Sequence, residues 1–422
     1  MSAEQVATAQ EIATKLRQHG KQAWLVGGVV RDLALGLKPN DVDLTTDAEP
    51  DELESIFSET IPVGRAFGTV IVRAGGLNCE VTTFRSESSY TDARHPDSVS
   101  FSKTPEEDAL RRDFTCNAIY LDPLEDRILD PTGGLADLEA RRLRCVGYPR
   151  ARFAEDALRI LRLARFAAQP GLEPEAETLE AARALSAKIA LVAPERRLRE
   201  MTSILVRTNT LRAIECLAAC DALRWALFEG DAPEGAACHA RSVLFRDDGL
   251  GAEAGLAVLF GAFEELPVQG SPPPLWKRRL KAMRPSREVM MAVEGIGCGV
   301  VNFEELAFAA DPPARSRLIR ALRESTYAES LQLAHVRAQV AGIDEAKIAQ
   351  LARFNEMLRE LADSGELYPE LYLASADLAE IGIPRGARWG ELLAEAETRQ
   401  LDGEFANREA ALDWLRGRKD PA

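Results

Sequence analysis

Histidine is scarce in this chain: four in 422 residues, at His19, His95, His239 and His335. Scattered in that way, they leave a histidine-based metal site or a Ser-His-Asp triad without its central group. The seven cysteines are odd in number and show no paired spacing beyond Cys216 and Cys220, one helical turn apart. That argues against a disulfide framework and a zinc site, and for reduced thiols. No run of about 18 apolar residues exists, and Met1 to Gln22 reads as a polar-faced helix without the apolar core of a signal peptide. No membrane association and a cytosolic location are therefore expected. With histidine and cysteine set aside, catalysis has to rest on carboxylates and arginines.

What is present describes a globular protein, 46% hydrophobic and 28% charged. Its length exceeds one ordinary core, so three or four modules are expected. A net charge of −15 counts against general nucleic-acid affinity, because neutralising phosphates requires lysine and arginine. The mean hides local structure. Arg141, Arg142, Arg144, Arg150, Arg152, Arg159, Arg162 and Arg165 crowd one segment that holds only Glu155 and Asp156 in opposition. A second basic group, Lys277, Arg278, Arg279, Lys281, Arg284 and Arg287, lies beside Trp276. A localised basic stripe on an acidic protein fits a specific RNA partner; a solvated helix face is the plainer alternative for the second group.

Short β-rich runs (Trp24 to Val26, Val42 to Thr45, Thr69 to Val72, Asn78 to Phe84, Ile128 to Leu129) alternate with helices up to about residue 140. From Phe153 onward the pattern is one amphipathic helix after another, broken at Gly171, Pro194, Gly270 to Pro274, Pro312-Pro313 and Pro384. The expected fold class is α+β: a head with a mixed β-sheet and helices, followed by an all-helical remainder. No internal repeat of fixed period is visible.

The most informative segment lies within the first fifty residues. Gly27-Gly28-Val29-Val30-Arg31-Asp32 is followed by Asp41-Val42-Asp43. Ala23 to Val26 reads as a buried strand, Val29 to Leu37 as a helix, and Val42 to Leu44 as a second strand. Aspartates at i and i+2 of an extended segment share a face and can hold Mg²⁺. A glycine pair allows backbone to approach a triphosphate. A tight turn and a chance acidic pair are the plainer readings of each motif taken alone. Alternation puts Glu80 opposite Val81, where it either joins the aspartates, orienting a metal or helping deprotonate an attacking hydroxyl, or faces solvent.

Ser86 to Pro105, with His95-Pro96-Asp97, shows no periodicity and reads as a long loop of the mobile, functional kind. It leads to Arg111-Arg112-Asp113-Phe114-Thr115-Cys116-Asn117. Here the arginines can clamp a triphosphate, Asp113 can accept from a ribose hydroxyl, and Asn117 can bond sugar or phosphate. A helix over Phe153 to Ala168 would put Asp156 and Arg159 on one face. They are either an intrahelical ion pair or a base reader. Cytosine and adenine each offer an amino donor beside a ring-nitrogen acceptor, and uracil and guanine the reverse.

Together these motifs resemble the class II tRNA nucleotidyltransferases, the CCA-adding and bacterial poly(A) polymerase family of the polymerase-β superfamily. The matching residues are Gly27-Gly28-x-x-Arg31-Asp32, Asp41-x-Asp43, Glu80-x-x-x-Phe84-Arg85, Arg111-Arg112-Asp113-Phe114-Thr115-x-Asn117-Ala118, Asp130-Pro131-x-Gly133-Gly134, Arg152-Phe153-x-Glu155-Asp156-x-x-Arg159 and Glu195-Arg196-x-x-x-Glu200. They run in family order over residues 23 to 200. Leu373 to Arg416 resembles the family's tail, with Ser375 where a glycine is expected, and residues 211 to 345 match little.

The resemblance implies addition of C, C and A to the 3′ end of tRNA from CTP and ATP, with release of diphosphate and with Mg²⁺ as cofactor. Poly(A) polymerase, or a specialised CC-adding or A-adding enzyme, are its alternatives. It implies Asp41, Asp43 and Glu80 as catalytic, with Asp41 and Asp43 on the metal. Gly27, Gly28, Arg31, Arg111, Arg112, Asp113, Asn117, Asp156, Arg159 and Arg162 are implied to bind nucleotide, with Asp156 and Arg159 reading the base. Glu195 and Arg196 resemble a motif that braces the neck helices, and Ser86 to Pro105 the flexible loop that helps switch from C to A. The implied layout is a seahorse-like head (1–140), neck (141–210), body (211–345) and tail (346–422), with tRNA along the basic side. Oligomeric state is left open.

Overall fold

The computed structural model describes all residues except 40, 66–67, 89–97, 169–170, 207–208, 247–249, 269–270, 341–344 and 419–422. The chain divides into two compact units, Met1–Gly249 with Arg279–Pro285, and Leu250–Arg278 with Ser286–Ala422. Among the described residues no helix is long and apolar enough to cross a membrane. The α+β expectation is borne out.

In chain order the first unit begins with α1 (Ala3–Gln18), β1 (Ala23–Val26), α2 (Gly28–Ala34), β2 (Asp43–Thr46) and α3 (Pro50–Ile56). It continues with β3 (Thr60–Gly64), β4 (Thr69–Ala74), β5 (Leu77–Thr83), β6 (Arg85–Ser88), β7 (Ser98–Phe101), α4 (Pro105–Leu110), β8 (Tyr120–Leu121) and β9 (Ile128–Leu129). Seven of these strands form one sheet in the order β3-β4-β5-β2-β1-β8-β9. Within this sheet, among the described residues, only β2 and β5 pair in parallel. β1 is buried along its whole length, as a continuous apolar run predicts for a central strand covered on both faces. β5 alternates instead, with Cys79 and Val81 buried and Glu80 exposed.

Beyond the sheet come α5 (Gly134–Glu139), β10 (Arg142–Leu143), α6 (Pro149–Glu155), α7 (Leu158–Ala168), β11 (Glu173–Pro174), α8 (Ala176–Leu185), α9 (Pro194–Leu205), α10 (Thr210–Ala219), α11 (Leu223–Leu227) and α12 (Ala232–Arg241). A short parallel ladder between β10 and β11 interrupts the helices of this stretch.

Three expectations need correction. The helix expected over Phe153 to Ala168 is two, because Asp156 is extended (φ −145°, ψ 104°) and its carboxylate accepts from the Leu158 amide at 3.0 Å. Aspartate competes for local backbone donors in this way and so favours helix starts over interiors. The helix expected to Leu37 stops at Ala34, where Gly36 (φ +72°) lets the Gly36 and Leu37 amides turn back onto the Leu33 and Asp32 carbonyls. That is a Schellman ending, and helical periodicity runs past it unseen. The segment from Ser86 to Pro105 is not all loop: β6 and β7 pair antiparallel, Arg85 opposite Phe101, and Pro105 opens α4. Residues 89–97, including His95-Pro96-Asp97, lie outside the described residues. Strands β3 and β8 lie outside the β-rich runs of the sequence.

The second unit is helical: α13 (Ala252–Phe260), part of α14 (Leu275–Ala282), α15 (Arg287–Ala307), α16 (Arg315–Arg323), α17 (Tyr327–Val340), α18 (Glu345–Asp363), α19 (Ser375–Ile381), α20 (Arg388–Leu401) and α21 (Arg408–Arg416). A side chain at Gly297 of α15 would stand 2.5 Å from the Ala262 carbonyl, so only glycine permits that approach. The last three helices enclose a small core of Leu373, Leu378, Leu392, Phe405 and Leu415.

Candidate active site

The site begins at the turn between β1 and α2. Gly27 has φ +78° and ψ −132°, a conformation that L side chains rarely adopt. The turn opens a cleft of about 290 Å³. Gly27, Gly28, Arg31, Asp41, Asp43, Arg112, Asp113, Asn117 and Arg162 all line it. Nine sequence-predicted residues therefore meet in one cavity.

Asp43 opens β2 and Asp41 lies two residues before it, on the side opposite the buried Val42 and Leu44. In the parallel register Asp43 stands against Glu80. The Asp43 carboxyl is pushed up to about 6, chiefly by burial, with the Glu80 and Asp41 charges adding and Arg112 opposing. The donor set fits a hard divalent cation: a second positive charge would relieve that penalty, and two carboxylates suffice when substrate phosphates complete the shell. Among the described residues no group of three or more His, Cys, Asp or Glu is placed to hold a metal ion. Glu80 therefore borders the aspartate pair without closing a three-carboxylate cluster, and it is not among the residues lining the cleft.

The same cleft carries a continuous polar chain. Arg31 donates to Asp32 at 2.9 and 2.7 Å and to the Asn117 carbonyl oxygen at 2.9 Å. The Asn117 amide donates to Asp113 at 3.2 Å, and Arg162 donates to the other Asp113 oxygen at 2.7 Å. Burial raises the Asp113 carboxyl, but Arg162, Asn117 and the Phe114 amide outweigh it and hold the group well below the usual carboxylate range. Asp113 is thus anchored by protein donors, which uses acceptor capacity that a ribose hydroxyl would otherwise take.

Arg111 and Arg112 diverge in role. Both pair with Asp108 on α4, which is fully buried and also accepts from the Tyr120 hydroxyl at 2.8 Å and, at 3.3 Å, from the Arg85 amide. Arg112 reaches the cleft and Arg111 does not line it. The Asp130-Pro131-x-Gly133-Gly134 motif supports the floor. Asp130 accepts from the Gly134 and Leu135 amides, and a side chain at Gly134 would lie 2.2 Å from the Thr115 carbonyl. Asp137 then binds the Thr115 hydroxyl at 2.7 Å, next to Asn117.

Asp156 and Arg159 do not pair with each other. Asp156 meets Arg196 of α9 at 2.7 Å, and Arg159 meets Glu155 at 2.5 Å while donating to the Arg111 carbonyl at 3.1 Å. Neither lines the cleft. Arg196 accordingly ties α9 to the α6–α7 junction, and Glu200 ties it to Arg165 at 2.5 Å.

The basic stripe also needs correction. Arg142 and Arg144 pair with Asp137, Arg150 with Glu180, Arg152 and Arg159 with Glu155, Arg162 with Asp113, and Arg165 with Glu200. Apart from Glu155, these acids lie outside the segment that the charge count covers, so a run of cations in sequence is largely neutralised in space. Sequence reasoning missed Arg165 and Phe166, which line the cleft, although Arg165 continues the Arg159, Arg162 spacing. It also missed Asp108 and Tyr120, whose pairing has no local sequence mark. All seven cysteines are free thiols.

Residues 23–144 match the Poly A polymerase head domain. A CCA-adding enzyme of Bacillus pumilus is 46% identical over 202 residues, 48% of this chain and 50% of its own length. One from Streptococcus pyogenes serotype M2 is 44% identical over 214 residues, 51% of this chain and 53% of its own. These matches therefore span about half the length of the curated relatives. The crystal structure of the Bacillus stearothermophilus CCA-adding enzyme in complex with CTP superimposes with a TM-score of 0.81 at 30% identity, covering 99% of this chain and 98% of that one. With the motifs in order, the cleft assembled from them and the whole chain following that structure, this protein belongs to the class II CCA-adding enzyme family.

Proposed function

We propose that this chain is a template-independent tRNA nucleotidyltransferase that adds C, C and A in turn to the 3′ end of tRNA, consuming CTP and ATP and releasing diphosphate. The observation that carries this reading is the single cleft lined by Asp41, Asp43, the Arg31–Asn117–Asp113–Arg162 chain and the Gly27-Gly28 backbone. Acids for a cation and arginines for a polyphosphate, in one cavity, are the two halves a nucleotidyl transfer site requires.

In this reading Asp41 and Asp43 hold Mg²⁺, which when bound supplies charge stabilisation at the attacking and leaving oxygens. Glu80 orients the aspartate pair from the neighbouring strand. Arg31, Arg111, Arg112 and Arg162 offset the triphosphate charge directly or through their partners, with Asp113 and Asn117 fixing their direction. Asp156 accepts from the exocyclic amino group shared by cytosine and adenine, and Arg159 donates to the adjacent ring nitrogen, so the protein serves as its own template. Residues 1–140 act as catalytic head, 141–210 as base-reading neck, 211–345 as body and 346–422 as tRNA-binding tail, working in the cytoplasm.

Purified protein incubated under Mg²⁺ with tRNA lacking its terminal CCA is expected to incorporate label from both CTP and ATP. Incorporation of neither refutes the reading. The head-domain match favours poly(A) synthesis as the second reading; long adenosine tails on arbitrary RNA without cytidine would select it. Label from CTP alone, or from ATP alone on tRNA ending in CC, would select a specialised enzyme.

A further inference from the structure

Three guanidinium groups gather around one ring in the cleft wall. The Cζ atoms of Arg31, Arg162 and Arg165 lie 5.1, 5.2 and 4.2 Å from the centre of the Phe166 ring. Phe166 is only 4% exposed, lines the cleft, and is held by Phe114, whose ring stands edge-on at 5.7 Å and 75°. Three like charges gathered around one ring repel one another. Burial, with Arg162 adding to it, holds the Arg165 guanidinium below its ordinary value despite Glu200.

Each cation has a counter-charge apart from the ring: Asp32 for Arg31, Asp113 for Arg162 and Glu200 for Arg165. The phenyl ring is the one element common to all three. A carboxylate at position 166 would cancel the positive charge, and an aliphatic side chain would offer no attraction. The negative face of a ring attracts cations while leaving their full charge available.

We infer that Phe166 is a positioning residue for nucleotide binding, and that it collects Arg31, Arg162 and Arg165 into one fixed set of donors for the polyphosphate. The inference rests on the cleft being a nucleoside-triphosphate site. It assigns the set held by the ring to the phosphates rather than to the base. Base choice is then unaffected by the ring, and CTP and ATP lose equally when it is removed.

The test is calorimetric titration of CTP, ATP and inorganic diphosphate into the unaltered protein, Phe166→Leu, Phe166→Tyr and Arg165→Lys. Phe166→Leu is expected to weaken all three ligands by the same factor, about tenfold, which is about 1.4 kcal/mol. Phe166→Tyr keeps the ring and is expected to restore binding, a rescue that a purely space-filling role would not separate from leucine. Unchanged affinity in Phe166→Leu overturns the inference, as does weakened CTP with unchanged diphosphate. If Phe166→Leu does not fold, Arg165→Lys decides: it keeps the charge but loses the planar stack, so diphosphate is expected to bind several-fold more weakly, and equal affinity overturns the inference. No CTP or ATP binding by the unaltered protein would instead defeat the reading of the cleft itself.

Discussion

Arg162 places two nitrogens on one oxygen of Asp113, each at 2.7 Å, and through it joins α7 to the floor of the cleft. Asp113 is 8% exposed, whereas the Arg162 side chain is about one-third exposed, 34%. Removing the acid therefore leaves a cation that water can partly reach. Asp113→Ala is expected to cost about 1–3 kcal/mol, less than a fully buried pair, and to raise KM for CTP more than it lowers kcat. Urea midpoints and initial rates check this; unchanged KM with reduced kcat would count against a binding role.

Asp108 is the more severe case, since it is wholly buried and serves Arg111, Arg112 and Tyr120 at once. Asp108→Ala is expected to cost about 3–5 kcal/mol, and Tyr120→Phe about 1 kcal/mol. Burial raises the Asp108 carboxyl, but the two arginines and the hydroxyl overcome it and leave the group well below its ordinary value. A depressed acid lends stability that is present above its unfolded pKa of about 4 and is lost as pH falls toward the folded value. Asp108 and Asp113 thus act together below about pH 4. Asp43, raised to about 6, has the opposite sign, and its contribution declines as pH rises from about 4 to 6. Urea midpoints that keep rising below pH 4 would contradict this.

Gly27→Ala tests the turn. Its positive φ strains any L residue by about 1–3 kcal/mol, and the new methyl would stand 3.8 Å from Nη1 of Arg112. A higher KM for both nucleotides is expected, with a lower urea midpoint. Full activity would show that the backbone need not approach the phosphates.

The arginines divide into paired and unpaired classes with different expected effects on RNA. Arg144 is tied to Asp137, so Arg144→Ala should lower stability and leave the salt dependence of tRNA binding intact. Arg278 is exposed and has no ion pair among the described residues. Arg278→Ala should reduce the slope of log affinity against log salt by about 1 if that side chain meets a phosphate. Filter binding across salt concentrations distinguishes them, and equal slopes in both variants would contradict the division.

Much of the head was legible because its signals are local. The apolar run Ala23 to Val26, the glycine pair and the alternating acids each imply their geometry within a few residues. The residues that shape the cleft from a distance were not legible. Asp108 meets Arg111 and Arg112 within its own helix end, but its burial depends on Tyr120 and the Arg85 amide. Asp156 interrupts a periodic run because a carboxylate can cap the following helix, which periodicity does not register. The arginine stripe misled for the complementary reason: Asp137, Glu180, Asp113 and Glu200 neutralise it through tertiary contact, and a charge count along the chain cannot anticipate that.

The most direct measurement is 3′-end sequencing of a tRNA lacking CCA after incubation with CTP, ATP and Mg²⁺, run in parallel with the unaltered protein and a folded Asp41→Ala variant that still binds tRNA. The expected products are tRNA ending in CCA from the first and unextended tRNA from the second. Unextended tRNA from both, or CCA added equally well by the variant, would contradict the assignment of this cleft as the site of nucleotide addition.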